Sequence, residues 1–151
     1  MSKKKSSHSR VWGKILFVLY VIFLIWFLIF SDWYGRQAYD TFHYNLVPLK
    51  EIRRFWDYRH EVGLFAMITN LFGNVFIFIP FGFFLPMGSR NKSFFLTLLL
   101  SFLLSLGIEC FQLITMVGSF DVDDIILNTL GGIIGYIFYA ICAGIRRFFG
   151  G

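Results

Sequence analysis

Residues 11–30 read VWGKILFVLYVIFLIWFLIF, an apolar run interrupted only by Lys14 near its start. A helix needs about 20 predominantly apolar residues to cross the hydrocarbon core of a bilayer, so this run is long enough to span one. Three further runs of similar length follow at residues 64–85, 94–114 and 125–145. The sequence therefore predicts an all-α, polytopic membrane protein built as a bundle of four transmembrane helices.

The four runs use most of the chain, in which 57% of the residues are hydrophobic and 15% are charged. No room remains for a separate soluble domain, so we predict a single membrane domain over residues 1–151 with a basic tail at 1–10 and a long loop at 31–63. The first run is followed by Ser31-Asp32-Trp33-Tyr34, which is not a small-x-small cleavage site. We interpret this run as a retained signal anchor without a further role.

The distribution of basic residues predicts the orientation. Cytoplasmic loops of membrane proteins carry an excess of lysine and arginine. Three basic groups satisfy this rule together if both termini are cytoplasmic: Lys3, Lys4, Lys5 and Arg10; Arg90 and Lys92; Arg146 and Arg147. The loop at 31–63 and the connection at 115–124 then lie on the outer side of the membrane. The net charge of +5 is explained by this topology, and basic residues scattered over both sides indicate no nucleic-acid partner.

Proline and glycine predict how the helices bend and pack. Pro80 and Gly82 lie well inside the second span, where proline removes a backbone donor and is expected to kink the helix. Pro86 is expected to end it. The fourth span carries small residues that let a neighbouring backbone approach closely; they are Gly131, Gly132 and Gly135. We expect Cys110 and Cys142 to fill apolar space without forming a disulfide.

The second half of the outer loop is amphipathic. Apolar residues recur over residues 49–62 at the spacing of one helix face, and Arg53 and Arg54 lie between them. This pattern is typical of an interfacial helix on the outer leaflet. Either the helix covers the bundle as an anchored loop, or its arginines bind a lipid phosphate; both interpretations stay open.

Polar side chains recur in the outer half of three predicted spans. They are Asn70 and Asn74 in the second span, Glu109 and Gln112 in the third, and Asp121, Asp123, Asp124 and Asn128 at the start of the fourth. Pairs three or four positions apart share one helix face. Because such groups are costly in a membrane and usually face a cavity or the bundle interior, we expect one polar layer near the outer surface. This layer is the strongest functional indication in the sequence.

Two interpretations of the polar layer remain open. It is either a hydrogen-bond network that joins the helices, with aspartates capping the fourth, or a site that binds a ligand. Carboxylates this close repel one another unless one is protonated or a cation is bound. A functional layer would hold a divalent cation, an amine or a proton for acid–base chemistry. The candidate metal ligands are Asp121, Asp123 and Asp124.

The order and spacing of these residues resemble the VanZ-like family over about residues 45–136. The resemblance is carried by Asn70-Leu71-Phe72-Gly73-Asn74, by Phe78-Ile79-Pro80-Phe81-Gly82, by Glu109-x-x-Gln112, and by Asp121-x-Asp123-Asp124-x-x-x-Asn128-Thr129-x-Gly131-Gly132. It implies a small bacterial membrane protein, in a family whose founding member is associated with teicoplanin resistance. Many relatives carry an arginine shortly before the acidic cluster, whereas residues 117–120 here contain none.

The resemblance thus implies a role in protecting the cell envelope against glycopeptide antibiotics, and the residues leave three mechanisms open. An enzyme would use Glu109 as acid or base, with Asp123 and Asp124 holding a cation on a lipid-linked substrate. A binding or transport protein would hold a phospholipid headgroup or a lipid-linked wall precursor, with Arg53 and Arg54 near its phosphate. A structural protein would form a homo- or hetero-oligomer, packing on another envelope protein through its glycine face.

Overall fold

The computed structural model describes residues 2–30, 41–58, 61 and 63–149. The helices it describes are α1 (Ser2–Phe30), α2 (Lys50–Asp57), α3 (Leu64–Gly88), α4 (Phe94–Thr115) and α5 (Val122–Phe149). Two short strands, β1 (Tyr44–Asn45) and β2 (Phe120–Asp121), pair in parallel. The helices α1, α3, α4 and α5 are long and apolar enough to cross a membrane, which confirms the predicted all-α, polytopic architecture.

The boundaries of α3 correct one expectation. The helix does not end at Pro86 but continues to Gly88, and the N–H of Ser89 still donates to the carbonyl of Leu85 at 3.0 Å. Proline fixes φ near the helical value, so it can stay in a final helical turn even though it donates no hydrogen bond there. Pro80 also lies within the continuous helix. The predicted kink at Pro80 stays a prediction.

The bundle is organised around the contact between α3 and α5, which is its most extensive. Glycines allow this approach: a Cβ added at Gly135 would lie 2.0 Å from the carbonyl oxygen of Ile79, and one at Gly131 would lie 2.2 Å from that of Val75. On the other helix, a Cβ at Gly82 would lie 2.0 Å from the carbonyl oxygen of Gly132. These glycines therefore pack against other helices of the same chain.

Helix α1 is part of the bundle and not a separate anchor. It packs mainly on α3, where Gly13 approaches the backbone of Gly88. Further along the same contact, the rings of Phe17 and Phe81 have centroids 5.3 Å apart, and Leu24 is fully buried. Helix α4 packs mainly on α5, while α1 and α4 touch only a little.

The interior is more polar than that of a water-soluble protein. Polar side chains are buried between the helices: Asn74, Thr97, Ser101, Ser105, Glu109, Asp123 and Asn128. Many large apolar residues are instead exposed on the helix surfaces, for example Phe95 and Ile114 on α4. This distribution is expected where the surroundings are lipid, since small and polar residues then mediate helix contacts.

The two ends of the bundle differ. At one end, here called the basic end, lie the start of α1, the connection at 89–93 and the end of α5; the Tyr136 hydroxyl donates to the carbonyl of Lys92 there. The opposite end, called the loop end, carries both strands, α2 and the start of α5. Cys110 and Cys142 are free, as predicted, and both are exposed.

Helix α2 lies within the segment predicted as interfacial. It covers Lys50–Asp57, while residues 59, 60 and 62 of the predicted segment lie outside the described residues. Its Trp56 side chain is 59% exposed. An amphipathic helix with an exposed indole at the loop end fits a position at the surface of a bilayer.

Candidate functional site

The paired strands bring the first loop against the start of α5. Tyr44 lies opposite Phe120 and Asn45 lies opposite Asp121, and the N–H of Phe120 donates to the carbonyl of His43 at 3.0 Å. The sequence indicated no strand here, because two residues show no alternation that could be recognised. This pairing places Asn45 next to Asp121 of the polar layer.

Asp121 links the two strands through its side chain. Its Oδ1 accepts hydrogen bonds from the Asn45 side chain at 3.1 Å and from the backbone N–H of Asp123 at 2.8 Å. Burial raises the pKa of the Asp121 carboxyl above its ordinary value, and these two hydrogen bonds oppose that shift. Asn45 was not among the predicted site residues.

Glu109 joins α4 to the same strands. Its side chain is only 2% exposed, and its Oε2 accepts a hydrogen bond from the backbone N–H of Asp121 at 2.9 Å. Gln112 lies one turn further along α4, where its side chain approaches Gly118 in the connection to β2. Both predicted residues of α4 therefore lie at the loop end, and Glu109 is in direct contact with the acidic segment.

Asp123 holds α2 in place. Its carboxylate, 1% exposed, accepts backbone hydrogen bonds from Leu49, from Glu51 at 2.8 Å and from Ile52 at 3.2 Å. The first N–H groups of a helix have no partner within the helix. A negatively charged carboxylate at this end also interacts favourably with the helix dipole. Leu49 has a left-handed backbone (φ 63°), which is uncommon for a residue other than glycine. Both carboxylate oxygens of Asp123 thus accept hydrogen bonds that position the loop.

Asp124 connects α5 to α3. Its Oδ1 accepts a hydrogen bond from the side-chain amide of Asn74, which is buried. No described residue donates a hydrogen bond to its Oδ2. The side chain of Asn70, one turn before Asn74, lies outside the described residues. The predicted meeting of α3 and α5 at the layer therefore rests on Asn74 and Asp124.

Asn128 contacts a different set of residues. Its side-chain amide donates to the hydroxyl of Ser105 at 2.9 Å, below the acidic residues. Ser105 belongs to a buried stripe on α4 that the sequence analysis missed: Thr97, Ser101, Ser105 and Glu109. Their spacing of four residues places them on one helix face, and this regularity could have revealed the stripe.

The arginines of α2 stay near their own helix. Arg54 forms an ion pair with Glu51 at 2.6 Å, and its guanidinium lies 5.3 Å from the centre of the Phe55 ring. Arg53 is exposed on the same helix. Because Asp123 holds the start of α2, both arginines lie at the loop end.

The acidic residues do not form a preorganised metal site. Among the described residues, no group of three or more histidine, cysteine, aspartate or glutamate side chains is placed to hold a metal ion. The carboxylates of Asp121 and Asp123 face backbone N–H donors, so their oxygens are arranged for hydrogen bonds.

The contacts above define what we call the loop-end network: Asn45, Asn74, Glu109, Asp121, Asp123 and Asp124. It joins α2, α3, α4, α5 and both strands through hydrogen bonds to carboxylate oxygens. Four carboxyl groups in so small a region, inside a membrane-spanning fold, are more than helix capping requires.

Comparison with known proteins identifies the family. A family model described as VanZ/LLP1 matches residues 17–143. The chain belongs to the VanZ/LLP1 family. Protein VanZ of Enterococcus faecium is 28% identical to it over 133 residues, which are 88% of this chain and 76% of that protein. No solved structure matches the chain. The region shared with the VanZ/LLP1 family contains every residue of the loop-end network.

Proposed function

We propose that this VanZ/LLP1-family protein contributes to resistance against glycopeptide antibiotics of the teicoplanin type, and that the loop-end network carries this function. The family relationship supports the link to resistance. The observation that supports the site is the convergence of four carboxyl groups at the loop end. Asp121 and Asp123 contact the loop that contains α2, while Glu109 contacts the backbone of Asp121 and Asp124 contacts Asn74 of α3. The network binds or acts on a cell-envelope lipid or a wall precursor.

The proposed orientation places the loop end outside the plasma membrane. Basic residues at the basic end, such as Arg90, Lys92, Arg146 and Arg147, favour a cytoplasmic position for that end and for both termini. Glycopeptide antibiotics act on wall precursors outside the cell. A site in the outer leaflet is therefore the one that can protect these precursors.

A lipid headgroup suits the chemistry of the loop end. Arg53 is exposed on α2, and arginine binds phosphate oxygens with strong charge-assisted hydrogen bonds. The Oδ2 of Asp124 can accept a hydrogen bond from a hydroxyl, amide or amine of the headgroup. Asp123 holds α2, which carries Arg53, on α5, which carries Asp124. In this proposal the binding site is lined or supported by Arg53, Asn70, Asn74, Gln112 and Asn128. Arg54 stabilises α2 through its ion pair with Glu51.

An enzyme is the second candidate, and the burial of Glu109 next to the acidic segment favours it. Glu109 would transfer a proton to or from a lipid-linked substrate. A divalent cation would be held by Asp124 together with oxygens of the substrate, since Mg²⁺ is often bound by one or two carboxylates plus substrate phosphates. Cation dependence of the purified protein that changes in Asp124→Asn would support this form.

Substitution of Glu109 by glutamine tests the proposed site. Glutamine has the same size and can still accept the hydrogen bond from Asp121, but it carries no charge and cannot exchange a proton. We expect Glu109→Gln to abolish teicoplanin resistance of cells while the amount of protein in the membrane stays unchanged. Asp57→Asn, which removes an exposed carboxylate at the end of α2, is the control and should protect like the unaltered protein.

Lipid analysis of cells with and without the protein separates the two candidates. A changed envelope lipid or wall precursor is expected of an enzyme, and an unchanged profile together with intact resistance is expected of a binding protein. If Glu109→Gln and Asp124→Asn both protect cells as well as the unaltered protein does, the loop-end network is not the site of function.

A further inference from the structure

A polar stripe runs along the buried face of α4. It consists of Thr97, Ser101, Ser105 and Glu109, each of which is at most 2% exposed. The members are four residues apart, so the stripe extends about 18 Å along the helix axis, more than half of the ~30 Å hydrocarbon core. Thr97 lies in the first turn of α4, where its hydroxyl donates to the carbonyl of Ser93 at 3.2 Å. The stripe therefore runs from the basic end to Glu109 of the loop-end network.

Three buried oxygens beside this stripe have no hydrogen-bond partner among the described residues. They are Oγ of Ser101, Oδ1 of Asn128 and Oγ1 of Thr129. The Ser101 side chain is 0% exposed and lies against Gly132 of α5, and Asn128 is 3% exposed and donates its amide to Ser105 at 2.9 Å. These two side chains are thus enclosed where α4 packs on α5. An unpaired buried carbonyl or hydroxyl is costly, and bound water satisfies such groups in most proteins.

The spacing of the stripe fits water molecules between its members. Side chains four residues apart are separated by about 6 Å along the helix axis, roughly twice the ~2.8 Å length of a hydrogen bond between oxygens. Their oxygens are too far apart to bond directly, but one water molecule reaches both. The unpaired oxygens of Ser101, Asn128 and Thr129 supply further partners, and a buried water makes about three hydrogen bonds.

We propose that the contact between α4 and α5 binds a file of water molecules that conducts protons between the basic end and the loop-end network. A proton joins a water or hydroxyl oxygen at one end, and each oxygen that gains a proton passes another to the next oxygen in the file. One proton enters and one leaves, so no other bond is made or broken overall. Polar groups inside membrane-spanning bundles often mark such proton relays. This activity goes beyond the function proposed above and does not depend on it.

Radiolytic hydroxyl-radical labelling of the purified protein in phosphatidylcholine nanodiscs tests for the water. Radicals formed from bound water oxidise the side chains beside it, and mass spectrometry locates the oxidised residues. We expect oxidation of Ile125, which is 5% exposed and three positions before Asn128, and none of Leu24, which is fully buried in an apolar cluster. Asn128→Leu keeps the side-chain volume but removes the amide. It should lower the oxidation of Ile125 by about tenfold, the effect of losing one or two hydrogen bonds.

Proton flux into phosphatidylcholine vesicles that contain the protein tests conduction. A potassium diffusion potential set with valinomycin drives protons inward, and an enclosed pH-sensitive dye reports their arrival. We expect more flux than in protein-free vesicles, and a reduction by about tenfold in Asn128→Leu. Ser101→Ala, which leaves the contact between Asn128 and Ser105 in place, should also reduce the flux. The control is Thr115→Ala, which removes an exposed hydroxyl of the same helix that is bonded to the carbonyl of Phe111 and should conduct like the unaltered protein.

Three results would each overturn the proposal. They are a flux no greater than in protein-free vesicles, an equal flux in Asn128→Leu, Ser101→Ala and Thr115→Ala, and no more oxidation of Ile125 than of Leu24. None of them bears on the resistance of cells that produce Glu109→Gln, so the proton path and the proposed function are tested separately.

Discussion

At Asp123, one carboxylate satisfies three peptide N–H groups, two of them at the start of α2. Hydrogen bonds to a charged group contribute about 1.5–3 kcal/mol each, more than bonds between neutral groups. The aspartate therefore determines where α2 lies relative to α5. In the proposed function its contribution is indirect, through the loop that it positions.

Asp123→Asn is expected to loosen α2 without unfolding the bundle. Asparagine keeps one acceptor oxygen but loses the charge. Its side-chain NH₂ group would face backbone N–H donors, with which it cannot form a hydrogen bond. We expect a local loss of about 2 kcal/mol. The backbone amides of Glu51 and Ile52 should then exchange with deuterium at least tenfold faster, as ~1.4 kcal/mol corresponds to a factor of ten.

The control for this experiment is Asp57→Asn at the other end of the same helix, which removes a charge but no contact with α5. Its exchange should match that of the unaltered protein. Unchanged exchange in Asp123→Asn would show that other contacts hold α2, and the positioning role would then be rejected.

Which site residues the sequence predicts depends on where they lie. Asn74, Glu109 and Asp124 were predicted because polar groups are conspicuous in apolar helices. Asn45 was missed, because it lies in a polar loop and contacts Asp121 across 76 positions of the chain. The hydrogen bonds that engage Asp123 were missed for a related reason, since their donors are backbone groups that every residue has.

At the scale of helices, the contact between α3 and α5 depends on the absence of side chains. A Cβ at Gly135 would lie 2.0 Å from the carbonyl oxygen of Ile79, closer than any two such atoms can approach. Because the obstacle is backbone, no rotation of a side chain can relieve it. The glycine spacing predicted this close approach, although it could not identify α3 as the partner.

Gly135→Leu should therefore destabilise the protein strongly. Overpacking of a core costs about 1–3 kcal/mol, and a clash with backbone lies at the upper end of that range or beyond it. Thermal unfolding in detergent, followed by circular dichroism, measures the effect as a lowered Tm. Gly144→Leu lies on the same helix in open space and should leave the Tm nearly unchanged. Similar losses in both variants would contradict this account of α3–α5 packing.

At the scale of the whole molecule, the length of the apolar runs was sufficient to predict four helices long and apolar enough to span a membrane. The order in which the helices pack was not predictable, because runs rich in phenylalanine and leucine show no single face that distinguishes one neighbour from another. The packing of α1 on α3 is part of this order, and only the structure shows it.

The central claim is that the loop-end network carries the function, and Asp124 tests it most directly because no described residue donates a hydrogen bond to its Oδ2. Teicoplanin resistance should be measured in cells that produce Asp124→Asn or the control Asp57→Asn at equal membrane levels. Asparagine can preserve contact with Asn74 but removes the charge. We predict that Asp124→Asn gives no protection while Asp57→Asn protects fully. Full protection by Asp124→Asn would contradict the claim.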